Sequence, residues 1–541
     1  MILCGGSVLA AVFFIFYSFL PLTIDDIYNS PDENSNAVFA VEMAQNDQLH
    51  RFDALNSMLT ERIHPRSVKV VDGLQVPGGF LGLPVLGGWF GRIFGLSAIA
   101  YLTPLAALFG VWSWGALIAW HFGRRAGWLA AMLLLSQSAW WYWSARTMMP
   151  NVLMMSLLLL AAYFLIRAPV TALLDRYDYG GLGILRRTDG LFGGALLGLT
   201  LAVRPVAVYW LLAGAILLAL TAWKKIAWQR VAVGLIMALL TLAPFMVMNQ
   251  SLYGSWLSTG YGDVAATVDS GINGGFGARL LGPLQPVLFP LGFAPRTALE
   301  NFWIYGLKFF WWWTAVVIMS LVYLGRTFWR RGDIMSVSRG YLAFSFGVAS
   351  WIIPLYGSWQ IQDSLDPNAI SIGSSYLRYW LPLFVLSTLP VALMFDRFTK
   401  RGGRSFFGTV VGLVALAVIS GVTVFTAPGD GLSAVRRNLI KYQYESAEVF
   451  SLTEPTALIV VDYADKFIYP ERSVIYPLRS AATYELLPDA VKTVPTYYYG
   501  LSLPEQDLNW LQTEKLPPLG LTIEPIKSWE ENSLYRFIPQ R

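Results

Sequence analysis

Two adjacent carboxylates, Asp32 and Glu33, lie in the stretch YNSPDENSNAVFAVEMAQND at residues 28 to 47, where the chain leaves a first apolar run and a helix should begin. Ser30 has the type of a helix N-cap, Pro31 suits the first helical position, and Glu33 stands three residues after Ser30, the spacing of a capping box. That reading explains the motif without chemistry. The competing reading makes Asp32 a general base that takes a proton from an acceptor hydroxyl at a water–membrane boundary. A departing phosphate would need cations, and five are placed for it: Arg66 and Lys69 after the same helix, Arg146 in WSARTMMPN, Arg204 in AVRPV and Arg378 in SSYLRYW. Each also has a plainer reading, because arginines that flank apolar spans reach back to lipid headgroups. Asp25 and Asp26 add further carboxylates just upstream.

The elements that must hold these residues follow from composition. Over 541 residues the chain is 55% hydrophobic, 15% aromatic and only 13% charged, which is the profile of a polytopic α-helical membrane protein. The net charge of +5 is spread over short connections between apolar runs, so nucleic acid is not expected as a partner. With one cysteine, Cys4, no internal disulfide is possible, and with three histidines, His50, His64 and His121, a zinc site would have to borrow carboxylates. No metal or cofactor is required by the chemistry above.

Residues 2 to 22 read as an uncleaved first span. From Thr23 to Gly78 there are nine acidic residues against four basic ones, as expected of a non-cytoplasmic loop, with amphipathic helices expected at 31 to 45 and about 50 to 62. The run from Gly78 to Leu96 is broken by Pro84, glycines and Arg92, so it is expected to lie in the interface. Further spans are expected at about 97 to 120, 126 to 145, 149 to 166, 190 to 203, 206 to 223, 231 to 249, 302 to 325, 340 to 356, 379 to 395 and 405 to 427, about eleven transmembrane helices with the first. The connections assigned to the cytoplasm then hold 17 Lys or Arg against five Asp. This parity puts the N-terminus in the cytoplasm and residues 428 to 541 outside, where the buried-strand pattern ALIVV at 457 to 461, a second strand at 533 to 538 and a helix near 434 to 451 suggest a small α/β domain. The expected domains are therefore 1 to 427, which contains the catalytic loop 23 to 96, and 428 to 541.

The aromatic runs at 140 to 143 and 311 to 313 suit an interfacial belt, or the lining of a sugar or polyprenyl site. No Gly-rich phosphate loop is present, so a nucleotide donor has no visible site.

The Asp-Glu pair in the first external loop, the helix NAVFAVEMA and the broken FLGLP stretch resemble the GT-C membrane glycosyltransferases, particularly family 39 protein O-mannosyltransferases and lipid A aminoarabinose transferases. ARTMMPNVLMMSLLLLAAYFLIRA, NQSLYGSWLSTGY and SSYLRYWLPLF are similar to later segments of those families, over roughly residues 1 to 427. The resemblance implies an inverting glycosyltransferase in the plasma membrane, a polyprenyl-phosphate-linked sugar as donor, and an acceptor on a protein, lipid or glycan. It implies an activating carboxylate, by position Asp32 with Glu33 beside it; the residues themselves offer Arg204 and Arg378 for the phosphate, with Arg66, Lys69 and Arg146 as further cations, and Asn151, Tyr261 and Tyr376 for the lining. Asn151 stands where these families often carry an acidic residue. A transporter or flippase would instead put ionisable groups in mid-span, and a catalytically silent relative would bind a partner through its outer domain.

Overall fold

In the computed structural model, residues 2–24, 27–59, 61–166, 182–262, 285–331, 336–361, 363 and 369–540 are described; Asp25 and Asp26 lie outside them. The chain forms two compact units. One comprises residues 1–20, 101–247 and 262–434, and the other comprises 21–100, 248–261 and 435–541. The loop after the first helix and the C-terminal segment therefore belong to one unit, although more than 300 residues of sequence separate them.

The first unit is helical. Among the described residues, five helices are long and apolar enough to cross a membrane: Leu96–Phe122, Trp228–Tyr253, Arg339–Gly357, Leu381–Lys400 and Gly403–Thr426. Two bent pairs, Ser138–Ala145 with Pro150–Ile166 at 117° and Pro295–Lys308 with Trp311–Thr327 at 91°, bring the number to seven at most, and Gly6–Tyr17, Thr188–Val203 and Ala207–Ala222 are shorter apolar helices. Among the described residues the expected eleven full spans are thus not reached by length and apolarity. One cause is plain at 126 to 145, expected as one span. That run divides into Arg124–Leu135 and Ser138–Ala145, because Gln137 leaves the helical path and its Oε1 caps the amide of Trp140 at 2.8 Å. A side chain that satisfies a free amide starts a new helix rather than extending the old one.

The second unit begins with the helix Pro31–Asn46, capped by Ser30 as its sequence predicts. Against it packs Gly82–Phe94, whose 13 residues span about 20 Å at 1.5 Å per residue and so fall short of a bilayer. Gly88 permits the contact, since a Cβ there would lie 2.5 Å from Cβ of Met43. The opposite face leaves Trp89, Ile93 and Phe94 exposed, the amphipathic pattern of a helix lying in an interface.

The second expected amphipathic helix, at 50 to 62, is not formed as such. Strand β1, Arg51–Phe52, is followed by the single-turn helix Ala54–Met58. Asn56 then ends the helix: its Nδ2 donates to Ile63 O and its Oδ1 accepts from Ile63 N, both at 3.0 Å, so one side-chain amide closes the loop as a strand partner would. Strands β2, Val68–Val71, and β3, Leu74–Pro77, form a tight hairpin on Asp72 and Gly73, with φ of 51° and 77°, and complete a sheet of order β1-β3-β2.

The C-terminal segment supplies the helix Leu432–Leu452 and strands β4 (Leu458–Val461), β5 (Ser473–Ile475), β6 (Thr496–Leu501), β7 (Leu521–Ser528) and β8 (Asn532–Pro539), in the order β5-β4-β6-β8-β7. Strand β4 pairs in parallel with both neighbours, whereas β6, β8 and β7 pair antiparallel. On central strand β6, Tyr497, Tyr498 and Tyr499 are all buried, and each hydroxyl meets a carboxylate, from Glu454, Asp462 and Glu445 respectively, which compensates for taking three phenols out of water.

Candidate active site

Within the helical unit, three of the arginines named from sequence come together. Each sits at a break between helices. Arg146 ends Ser138–Ala145, Arg204 falls between Leu182–Val203 and Ala207–Ala222, and Arg378 belongs to the short helix Ser375–Tyr379 ahead of Leu381–Lys400. Pro150, Pro205 and Pro382 follow them at the starts of the next segments and help enforce the breaks.

Their guanidinium groups alternate with aromatic rings. Trp143 lies beneath both Arg146, at 5.7 Å, and Arg378, at 5.6 Å. Tyr379 lies beneath both Arg378, at 5.0 Å, and Arg204, at 4.4 Å. Tyr356, stacked on Tyr379 with centroids 4.5 Å apart, lies on the same side of Arg204 at 5.5 Å. The order Arg146, Trp143, Arg378, Tyr379, Arg204, Tyr356 is a ladder in which each ring face holds a cation by its quadrupole. Hydrogen bonds fix it further: Arg146 Nη1 donates to Tyr142 OH at 3.1 Å, Arg204 Nε to Tyr356 OH at 3.4 Å, and Arg378 Nη2 to Ser375 Oγ at 2.8 Å. Arg146 and Arg204 are only 4% and 7% exposed, and Arg204 forms no ion pair with a described carboxylate. Three guanidinium groups linked through shared rings concentrate positive charge and planar donors in one place, an arrangement that suits an anion.

Asn151 supports this cluster. Its Nδ2 donates to the backbone carbonyl of Arg378 at 3.1 Å, which a carboxylate at 151 could not do. The departure from an acidic residue is consistent with that bond. Tyr376, expected in the lining, has its hydroxyl engaged: it donates to Trp359 O at 2.6 Å and accepts from Asn301 Nδ2 at 3.0 Å and Ile361 N at 3.3 Å, with its ring stacked on Tyr305 and Trp380. Those bonds make it a brace for the loop after Gly357.

In the second unit, Asp32 is half-buried in the first turn of Pro31–Asn46. Ser30 Oγ accepts from the Asp32 amide at 3.3 Å, and Ser67 Oγ donates to Asp32 Oδ1 at 2.6 Å. Ser67 is held in turn. Its φ is 59°, and its carbonyl accepts from Ser35 Oγ at 2.6 Å and from Gly78 N at 2.9 Å. Gly78 has no substitute there, since a Cβ would lie 2.5 Å from the Ser67 carbonyl carbon. Ser67 was not singled out by sequence, and a serine before a strand carries no signal that it will adopt a left-handed backbone. Replacing it with Ala removes a hydrogen bond to a charged group, a loss of ~1.5 kcal/mol or more. Ser67→Ala is expected to lower the melting temperature by about a degree or more, as calorimetry of the purified protein would report.

Glu33 is 2% exposed, more enclosed than a surface capping residue would be. Lys69 is half-buried on β2. Tyr261 is 37% exposed, with its ring 4.9 Å from that of Phe80. Arg66 is engaged elsewhere: its amide, Nε and Nη2 all bond the carboxylate of Asp465, which is fully buried, and its guanidinium lies over Tyr463 and Tyr476. Burial works against the charge of Arg66, but the hydrogen bonds and charge of Asp465 outweigh it and raise its pKa. This pair ties the loop after Ile63 to the short helix Asp465–Ile468 that follows β4. Asp465→Ala should destabilise the protein by ~3–5 kcal/mol, the cost of stranding one member of a buried pair, and thermal melting of the purified protein checks it. Among the described residues no cluster of three or more His, Cys, Asp or Glu is arranged to hold a metal ion.

The helical unit with its broken helices and the mixed C-terminal sheet form a fold shared with solved membrane-protein structures. The similarity is to ArnT from Cupriavidus metallidurans bound to undecaprenyl phosphate, with TM-score 0.59 and 12% identity over 98% of this chain and 97% of that one. The apo structure of the same protein matches at TM-score 0.56 and 12% identity, covering 99% and 98%. The Archaeoglobus fulgidus oligosaccharyltransferase complex with zinc and sulfate matches at TM-score 0.48 and 13% identity, covering 95% and 69%. No family model and no curated protein matches the sequence.

Proposed function

We propose that this chain is an integral membrane glycosyltransferase that transfers a sugar from a polyprenyl-phosphate donor to an acceptor hydroxyl on the outer face of the plasma membrane, with inversion. The observation that carries the proposal is the ladder of Arg146, Arg378 and Arg204, in a fold shared with a protein solved with undecaprenyl phosphate. The acceptor oxygen attacks the anomeric carbon, its proton passes to Asp32, and the bond from that carbon to the phosphate oxygen breaks with its electron pair. A phosphodiester becomes a phosphomonoester, so negative charge grows on the lipid phosphate as the bond breaks. Preorganised guanidinium groups favour that change in charge, and no metal is needed to meet it. In this scheme Arg204 and Arg378 hold the phosphate, with Arg146 at the end of the ladder and Lys69 a further cation. Glu33 serves chiefly to hold the first turn of its helix. The N-terminus lies in the cytoplasm and the C-terminal domain outside.

The test is mass spectrometry of glycans, glycoproteins and glycolipids from cells with and without the protein. Loss of one sugar from one acceptor class is expected, and it would identify donor and acceptor together. An unchanged profile, with no transfer by purified protein supplied with polyprenyl-phosphate sugars, would overturn the proposal.

A further inference from the structure

The groups that hold Asp32 are themselves held by the C-terminal segment, within the second unit. Ser67 Oγ donates to Asp32 Oδ1, and the residue before Ser67 is fixed at its backbone, where the Arg66 amide donates to Asp465 Oδ2 at 2.9 Å. A second bond reaches the helix that carries Asp32. Asn34, two residues further along it, donates from Nδ2 to the carbonyl of Tyr469 at 3.0 Å. Both acceptors belong to one short element, since Asp465 opens the helix Asp465–Ile468 and Tyr469 directly follows it. Asp465 is fully buried and Asn34 is 6% exposed, so water competes little for either bond.

The bond to the Arg66 amide differs in kind from the side-chain pair beside it. The Arg66 guanidinium engages Asp465 through Nη2 at 2.6 Å and through Nε at 3.1 Å to each oxygen, contacts that a long, flexible stem could make from several backbone positions. The amide bond places the main chain itself. That placement matters one residue later, because Ser67 has a φ of 59°, a left-handed conformation that is costly for a residue with a Cβ and persists only where its surroundings over-determine it. Ser35 and Gly78 fix Ser67 at its carbonyl, and Asp465 fixes the chain on its other side. Loss of the Asp465 bond leaves Ser67 free to relax and to withdraw its hydroxyl from Asp32.

We infer that Asp465 is a positioning residue for the transfer reaction: through the backbone of Arg66 it keeps Ser67 left-handed, and Ser67 in turn orients the Asp32 carboxylate. The inference rests on Asp32 being the base proposed above. It gives the C-terminal segment a share in turnover without any contact between the buried Asp465 and a substrate.

The test is a double-mutant cycle on the full-length protein, with the undecaprenyl-phosphate-linked sugar and the acceptor that the glycan comparison above identifies, at a temperature well below every variant's melting point. Asp465→Asn keeps the volume but turns an amide donor toward the donors of Arg66. It should lower kcat about tenfold and leave the donor KM within about twofold of the parent, because the phosphate contacts proposed above lie on other residues. Ser67→Ala should lower kcat by a similar factor. Asp465→Asn added to Ser67→Ala should then cost less than about twofold more, since the hydroxyl it positions is already gone. An Asp465 that served stability alone would lower kcat by the same factor in both backgrounds, and that result, or parent-level kcat in Asp465→Asn, would overturn the inference. Should Asp465→Asn fail to fold, Arg66→Met combined with Asp465→Leu takes its place in the cycle, because apolar residues often replace a buried ion pair without loss of stability while the amide of residue 66 still loses its acceptor. Near-normal transfer by Asp32→Asn would overturn the base assignment and this inference with it, whereas an inactive Asp32→Asn beside an uncoupled Asp465 overturns the inference alone.

Discussion

Asp32→Asn is expected to lower sugar transfer by about a hundredfold to ten-thousandfold, the range that a positioned general base contributes. The substitution is nearly isosteric. An asparagine Oδ1 can still accept from Ser67 Oγ, and the backbone amide of residue 32 still donates to Ser30 Oγ, so these two bonds survive. The variant should therefore melt within a few degrees of the parent and keep the lipid-phosphate binding proposed above, while losing the ability to accept a proton. Kinetics with a polyprenyl-phosphate sugar and a calorimetric melt separate the two effects. Near-normal transfer by Asp32→Asn would remove the carboxylate from the mechanism and return it to the structural role open from its sequence, the first turn of a capped helix. Glu33→Gln is the internal contrast: Glu33 is 2% exposed, so its loss should register first in stability.

What the sequence made legible divides along a physical line. Local signals carried through. Ser30 and Pro31 start a helix where such residues start one, and the ALIVV stretch forms a strand. The three arginines of the ladder also carried a signal, since each is followed by a proline that breaks the apolar run, and an arginine at a break can turn inward. Features that depend on distant partners were not legible. The helix expected at 50 to 62 gives way because Asn56 closes on Ile63, a bond that helical periodicity does not register. Arg66 looked available for a phosphate because its partner, Asp465, lies 399 residues away. Ser67 escaped notice for a related reason: its value lies in a backbone angle set by Gly78 and Ser35, and only in that conformation does its hydroxyl reach Asp32.

Arg204 offers the sharpest separation of function from structure. A buried arginine kept for stability normally has a carboxylate, as Arg66 has Asp465, and removing such an arginine is costly. Arg204 instead shares Tyr379 with Arg378, and the two like charges oppose each other. Relieving that repulsion offsets the loss of stacking on Tyr356 and Tyr379. Arg204→Met is therefore expected to melt within a few degrees of the parent, or above it, when no lipid is present. Its affinity for undecaprenyl phosphate should fall tenfold to a hundredfold, as losing a charge-assisted hydrogen bond of ~1.5–3 kcal/mol implies. Turnover should fall further than binding, because the phosphate gains charge as the sugar departs. Arg204→Lys should recover little, since an ammonium keeps the charge but neither packs as a plane against the Tyr356–Tyr379 pair nor presents a planar fork to phosphate oxygens. Titration of each variant with undecaprenyl phosphate, followed by intrinsic fluorescence and by the rise in melting temperature, measures the difference. A large drop in lipid-free stability with unchanged lipid affinity would make Arg204 a packing residue and would move the phosphate site away from the ladder.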